Sequence, residues 1–295
     1  MYMCRFAARA NSGWYSEKML SKQEREFFRE TVWDYYRRHG RHGLSWRGAE
    51  ADGSFDPYKI MVSEIMLQQT QVSRVLPKFE QFLALFPTVQ ALAAAPLSDV
   101  LVAWNGLGYN RRAKFLWQAA QMVMQEYGGV FPVHVERLHR LPGIGINTAG
   151  AILAYSYNQP VAFVETNIRT VYIHHFFANH AEAVHDKTVL GLVQETLDHK
   201  NPREWYWALM DYGTHLKQTV GNLSQRSKSY TRQSKFEGSL RQVRGAVIRT
   251  LTTGKHTPEQ LAAAIADKRL PAVLVGLERE NLIQKTNDVY HLPGA

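Results

Sequence analysis

The stretch Leu141-Pro142-Gly143-Ile144-Gly145, running into Ile146-Asn147-Thr148-Ala149-Gly150, constrains this chain more than any other. Pro142 and Gly143 end an incoming helix, because proline lacks a backbone donor and glycine accepts a tight turn. Gly145 leaves the backbone bare, so a partner can approach closely. Residues 146–155 then begin a new helix, whose first N–H groups lack intrahelical acceptors and form a site for an anion such as a phosphate. Gly143, Gly145, Asn147 and Thr148 are the candidate contacts. A second stretch, Val161-Ala162-Phe163-Val164-Glu165-Thr166-Asn167-Ile168-Arg169, places one carboxylate, Glu165, at the start of the helix that follows. The same Pro and Gly pattern also fits a plain corner between two packed helices, and the stretch alone does not separate the two.

Upstream, helical periodicity dominates. Residues 21–39 read as a helix, with Ser21 as N-cap, Glu24 three residues on, and an apolar face of Phe27, Phe28, Val32 and Tyr35. Asp56-Pro57 opens the next helix, with Tyr58, Met61, Val62, Ile65 and Met66 as its apolar side. Glu64 sits inside that apolar set. A carboxylate among apolar neighbours holds its proton to higher pH, which suits a general acid. A solvent-facing glutamate is the ordinary alternative. The polar run Gln68-Gln69-Thr70-Gln71 is unusual at a helix end, and glutamine can hydrogen-bond base edges or fill a gap in a base stack. Short helices follow over 75–86, 89–95 and 97–104, up to the turn Gly106-Leu107-Gly108-Tyr109. An aromatic on such a turn either wedges between bases or packs inside. Arg111, Arg112 and Lys114 come next and are candidates for neutralising phosphates. Helices are expected over 113–127, 135–141, 168–177, 187–198 and 202–213. His174, His175, His180 and His185 show no metal-ligand spacing.

Charge supports an anionic partner. The net charge is +9, and residues 217–255 hold nine Lys or Arg against one acid, Glu237. That clustering fits a phosphate-facing surface or a flexible basic linker. A single cysteine, Cys4, excludes an internal disulfide and any site built on several thiolates. No apolar run reaches membrane-spanning length and no signal core is visible, so a soluble protein of the cytoplasm, nucleoid-associated in a bacterium, is expected. Residues 216–239 are polar and basic. Beyond them lie three short helices (240–251, 257–266, 271–280) and a hairpin across Thr286-Asn287-Asp288, the order of a winged helix. The third of these helices is apolar with few cations, so packing or protein contact suits it better than groove reading.

Four blocks now coincide: Ser63-Glu64-Ile65-Met66-Leu67-Gln68-Gln69-Thr70-Gln71-Val72; Gly106-Leu107-Gly108-Tyr109; Leu141-Pro142-Gly143-Ile144-Gly145 with Thr148-Ala149-Gly150-Ala151-Ile152; and Met210-Asp211-Tyr212-Gly213. In order and spacing they resemble the MutY-type A/G-specific adenine DNA glycosylases of the helix-hairpin-helix superfamily, over about residues 22–215. The resemblance implies an all-α fold with a two-lobed glycosylase core (21–215); outside it the chain reads as an N-terminal extension (1–20), a basic linker (216–239) in place of the family's iron–sulfur region, and a winged-helix-like domain (240–295). It implies a monomer acting on double-stranded DNA with mismatched or oxidised base pairs. The adenine opposite 8-oxoguanine or G is flipped out and removed. Glu64 matches the acid that protonates the adenine and can then activate water, and Glu165 the carboxylate that stabilises the cationic sugar or traps it covalently. Asn167 matches a residue that supports both. Leu67 and Gln69 match residues that fill the gap at the lesion, and Tyr109 matches one that wedges beside the opposing base; Gln68 and Arg111 are DNA-contact candidates by their own chemistry, an amide for base edges and a cation for phosphate. Asn147 stands where lyase-active relatives carry lysine, so a monofunctional enzyme is expected.

The chain departs from the family pattern at three places. Glu165 replaces aspartate. The four cluster cysteines that should follow Met210-Asp211-Tyr212-Gly213 are absent, so no iron–sulfur cluster and no other cofactor is expected, and residues 217–235 are candidates for its structural and DNA-contact role. The C-terminal segment differs from the family's reader of 8-oxoguanine. These leave two rivals: a mismatch glycosylase for T or U opposite G, and a DNA-binding or regulatory protein with a disabled core.

Overall fold

The computed structural model describes residues 19–180, 182–232 and 235–294. The expected N-terminal extension falls almost wholly outside them, as does Cys4. The chain forms two compact units, each from two separate stretches: residues up to Phe55 with Ile146–Arg232, and Asp56–Gly145 with Gln233 onward.

In the first unit, α1 (Lys22–His39) starts at the expected Ser21–Glu24 capping box and buries Phe28, Val32 and Tyr36. It packs on α11 (Pro202–Thr219), a helix that runs past the expected end at Gly213. Glycine is tolerated there because its bare Cα is needed for packing. A Cβ on Gly213 would lie 2.3 Å from the carbonyl oxygen of Asn167 on α9 (Thr166–Phe176). The core is aromatic. Phe28 meets Tyr172 and Phe176 with ring centroids 5.1 and 5.0 Å apart, and Phe163 stacks on Tyr206 at 4.0 Å. The helix α8 (Ile146–Tyr157) is buried continuously from Ala149 to Ser156. Beside it α10 (Asp186–Thr196) packs on α1 and α9.

One buried carboxylate organises the start of this unit. Asp211 on α11 accepts from both terminal nitrogens of Arg47 at 2.9 and 2.8 Å, and from the Arg41 side chain and backbone, each at 2.7 Å. Burial pushes its carboxyl up, but the hydrogen bonds and charges of Arg47 and Arg41 outweigh this and hold it below the usual carboxylate range.

In the second unit, Asp56 caps α2 (Pro57–Leu67) and Pro57 occupies its first turn. This helix buries Tyr58, Ile60, Met61, Val62, Ser63, Ile65 and Met66. It packs on α3 (Val72–Leu85) and α6 (Arg111–Tyr127), and α4 (Val89–Ala94) and α5 (Leu97–Ala103) also line α6. The short α7 (Val135–His139) leads into the Pro-Gly turn. The C-terminal stretch contributes α12 (Leu240–Leu251), α13 (Pro258–Ile265) and α14 (Leu270–Arg279). An antiparallel hairpin follows, β1 (Gln284–Thr286) with β2 (Val289–His291). Its two turn residues, Asn287 and Asp288, both have positive φ (47° and 58°), which matches the right-handed twist of the strands. His256 bridges Tyr290, and α14 turns Leu270, Val273, Leu274 and Leu277 into the core, so packing is its main use.

The basic run at 217–255 divides between the two units, and three of its arginines are engaged inside the protein. Arg226, in a 3-10 turn at Leu223–Arg226, donates to the carbonyls of Phe177 at 2.8 Å and Ala178 at 3.1 Å and to that of His180, which cover the C-terminal end of α9. Arg241 and Arg244 bond within the second unit.

Candidate active site

Two groups of the expected residues are built locally, one in each unit. In the second unit the organising side chain is Arg112, which the sequence marked only as a candidate phosphate contact. It is buried instead, 8% exposed. One terminal nitrogen donates to the carbonyls of Ile65 and Met66 at 2.9 Å and of Gln68 at 2.6 Å. The other reaches the Thr70 hydroxyl at 3.0 Å and the carbonyls of Leu107 and Gly108 at 3.3 and 3.1 Å. The physical reason is the end of α2: its last carbonyls have no helical donor, and a planar guanidinium satisfies several at once. Burial pushes the Arg112 guanidinium down to about 10, still well above neutrality.

Arg112 thereby ties the end of α2 to the Gly106–Tyr109 turn. Glu64, one turn before the end of α2, is half-buried, while its neighbours Ser63, Ile65 and Met66 are buried. Leu67 and Gln68 are half-buried and Gln69 is exposed with φ 55°, a left-handed conformation that directs it out of the helix path. Tyr109 also has positive φ, 48°. Its ring is half-buried and lies between two guanidinium groups, Arg112 at 5.5 Å and Arg241 at 5.1 Å. Arg241 also donates to its hydroxyl. Tyr109 is therefore not a buried core residue, and its half-buried ring carries cations on both sides.

The Pro-Gly turn joins this group through Gln68, whose Nε2 donates to the Gly143 carbonyl at 3.4 Å. Gly143 has φ 79°, and a Cβ there would lie 2.8 Å from Cβ of Phe115, so only glycine fits. Around Gly145 the space is open, which suits close approach of a partner. Arg111 is exposed, lies over the Phe115 ring at 5.3 Å, and stands 3.7 Å from Glu280.

The first unit holds Asn147, Thr148, Glu165 and Asn167. The Asn147 amide oxygen accepts from the backbone N–H of Val164 at 3.3 Å, which links the first turn of α8 to the segment before Glu165. Glu165 is the N-cap of α9, half-buried, and its side chain makes no capping hydrogen bond. Burial raises its carboxyl pKa, and the nearby Arg169 charge pulls the other way. Arg169 is fixed by a two-pronged pair with Asp186, at 2.8 and 2.6 Å. The backbone of Asn167 passes so close to Gly213 that any side chain there would collide with its carbonyl. Among the described residues no group of three or more His, Cys, Asp or Glu could hold a metal ion, and no helix is long and apolar enough to cross a membrane.

Residues 62–190 match the model of the HhH-GPD superfamily base excision DNA repair proteins. The chain is 33% identical to an adenine DNA glycosylase of Buchnera aphidicola subsp. Baizongia pistaciae over 220 residues, 71% of this chain and 60% of that one. It is 35% identical to the human adenine DNA glycosylase over 192 residues, 63% of this chain and 35% of that one. It thus spans about half the length of the curated relatives it matches. Among solved structures, a thermostable thymine-DNA glycosylase superposes with a TM-score of 0.56 at 24% identity, over 65% of this chain and 86% of that one, a likeness of fold.

Proposed function

We propose that the chain is a base excision DNA repair protein of the HhH-GPD superfamily, whose model matches residues 62–190, and that it removes adenine mispaired with 8-oxoguanine or G from double-stranded DNA. The observation that carries this reading is the Arg112-centred group. It sets a half-buried carboxylate, Glu64, on an otherwise buried stretch of α2, tied to the exposed amide of Gln69 and the half-buried ring of Tyr109, side chains suited to a disrupted base stack.

The adenine leaves the stack, because its glycosidic bond is unreachable inside the duplex. Protonated Glu64 gives its proton to a ring nitrogen of adenine. The C1′–N9 bond then breaks, and its electron pair departs with the neutral base. The sugar is left cationic, and the Glu165 carboxylate stabilises it. Water adds to C1′ and loses a proton to Glu64, which restores the acid and leaves an abasic site. Asn147 offers no amine for a Schiff base, so the strand stays intact. Backbone N–H groups at Gly145–Thr148 and the start of α8 hold a phosphate.

The reading requires no iron–sulfur cluster, and the residues after Gly213 do not fit one. That segment carries no cysteine. Its turn is closed by the Arg226 bonds to the end of α9 and by the Ser227 hydroxyl on Asp186 at 2.9 Å.

The test is single-turnover base release from A:8-oxoG, A:G, T:G and U:G duplexes, with and without alkali. Adenine release that needs alkali to reveal the abasic site, and that disappears in Glu64→Gln, supports the proposal. Release of thymine or uracil instead would reassign the substrate. Intact binding without release from any duplex would leave a DNA-binding protein.

A further inference from the structure

Arg169 stands one helical turn after Glu165, and its backbone N–H donates to the Glu165 carbonyl at 2.8 Å. An acid followed by a base four residues on is the order and spacing at which helical side chains pair best. Here the guanidinium turns to α10 instead. It donates to Asp186 from Nε at 2.8 Å and from a terminal nitrogen at 2.6 Å. Asp186 is itself held. The Ser227 hydroxyl donates to its Oδ1 at 2.9 Å and accepts from the Ser229 backbone N–H at 3.1 Å. Two backbone bonds flank Ser227 and place it: Val184 N–H to the Arg226 carbonyl at 2.8 Å, and Lys228 N–H to the Val184 carbonyl at 3.0 Å. All of these residues belong to the first unit. The Arg169 side chain is 12% exposed and that of Asp186 32%, so the pair is shielded from water, yet an alanine at 186 opens no deep cavity.

We propose that Asp186 is a positioning residue that withholds Arg169 from Glu165, so that the Glu165 carboxylate stays available to a cationic sugar. The inference rests on the reading above, in which Glu165 stabilises that cation. An arginine paired with Glu165 would occupy its oxygens and cancel its charge. A second cation close by would also repel the one that forms during the reaction. With Asp186 present, the donors and the charge of Arg169 are matched on α10.

The experiment measures single-turnover adenine release from an A:8-oxoG duplex. Beside it, binding is measured to two duplexes, one carrying a cationic pyrrolidine in place of the sugar and one a neutral tetrahydrofuran. The ratio of the two affinities reads how well the site takes a cation, with no chemistry involved. In Asp186→Ala both the release rate and the preference for the cation fall about tenfold, the low end of what an opposite charge does beside a buried carboxylate. Affinity for the neutral duplex stays the same. Adding Arg169→Gln to that variant restores both quantities, because the competing cation is gone. A pair that merely ties α9 to α10 predicts otherwise: the double variant is no better than Asp186→Ala and the cation preference does not move, which overturns the proposal. If Asp186→Ala does not fold, Ser227→Ala carries the comparison. It gives a smaller loss that Arg169→Gln again reverses, and no loss there refutes the proposal. If the wild-type protein releases no adenine, the proposed function fails and the binding ratio decides alone. A preference lost in Asp186→Ala and restored by Arg169→Gln then sustains the role of Asp186, and an unchanged or absent preference refutes it.

Discussion

The guanidinium of Arg112 donates to the backbone carbonyl of Gln68 at 2.6 Å, across 44 residues of sequence. That bond sets where α2 ends and therefore how Gln68 and Gln69 leave the helix. Replacing Arg112 by Met keeps the apolar stem but strands the carbonyls of Ile65, Met66 and Gln68. We expect a loss of about 3 kcal/mol by urea denaturation and a larger fall in base release than stability accounts for. Unchanged release by a folded Arg112→Met protein would remove Arg112 from the site's architecture.

Glu165 carries opposite predictions for stability and activity. Its pKa is raised by burial, so the folded protein favours the protonated carboxyl, and ionisation costs stability as pH rises above the ordinary carboxylate range. Glu165→Gln is therefore expected to be more stable than wild type at pH 7, on the order of 1 kcal/mol. The gain should vanish as pH falls below the ordinary carboxylate range. Base release should fall in the same variant, since the amide cannot neutralise a cationic sugar. Thermal melting at two pH values and one release assay check both halves.

The side chain of Glu165 is one methylene longer than the aspartate of the family pattern. A displacement near 1 Å can cost on the order of 100-fold in rate. If the backbone is otherwise placed for chemistry, Glu165→Asp raises the single-turnover rate with little change in DNA affinity. A slower Glu165→Asp enzyme would mean that this site is adapted to glutamate.

Asp211 has the reverse pH sign. Its pKa is held below the usual range in the folded state, so the stability it supplies is present above the unfolded value and lost as pH falls through the depressed one. Asp211→Asn leaves Arg47 buried without a countercharge and should cost about 3 kcal/mol at pH 7. The difference from wild type should shrink in acid, which melting curves between neutral and acidic pH would show.

Gly213→Ala tests the packing of α9 on α11. The added Cβ would meet the Asn167 carbonyl oxygen at 2.3 Å, and backbone cannot swing aside as a flexible side chain can. We expect a loss on the order of 3 kcal/mol. Base release should fall with it, because Asn167 and Glu165 begin the helix that must move. A fully stable Gly213→Ala protein would show that the contact relaxes freely.

Much of this protein follows from local sequence. Ser21 with Glu24, Asp56-Pro57, Thr257-Pro258 and Asn287-Asp288 mark their helix starts and turn by chemistry confined to a few residues, and each appears where it was expected. The four blocks of family resemblance are likewise local patterns. Sequence alone did not decide the use of the cations. Arg111, Arg112, Arg226 and Arg241 read alike as candidates for phosphate contact, yet one is exposed, one is buried under six acceptors, one caps α9 and one holds Tyr109. Nor did it show why Gly213 sits inside α11 rather than at its end. A guanidinium's role depends on which carbonyls and rings the fold brings within about 3 Å, and a mid-helix glycine's on the backbone that crosses it. Those neighbours are tens to more than a hundred residues away, so only tertiary structure assigns them.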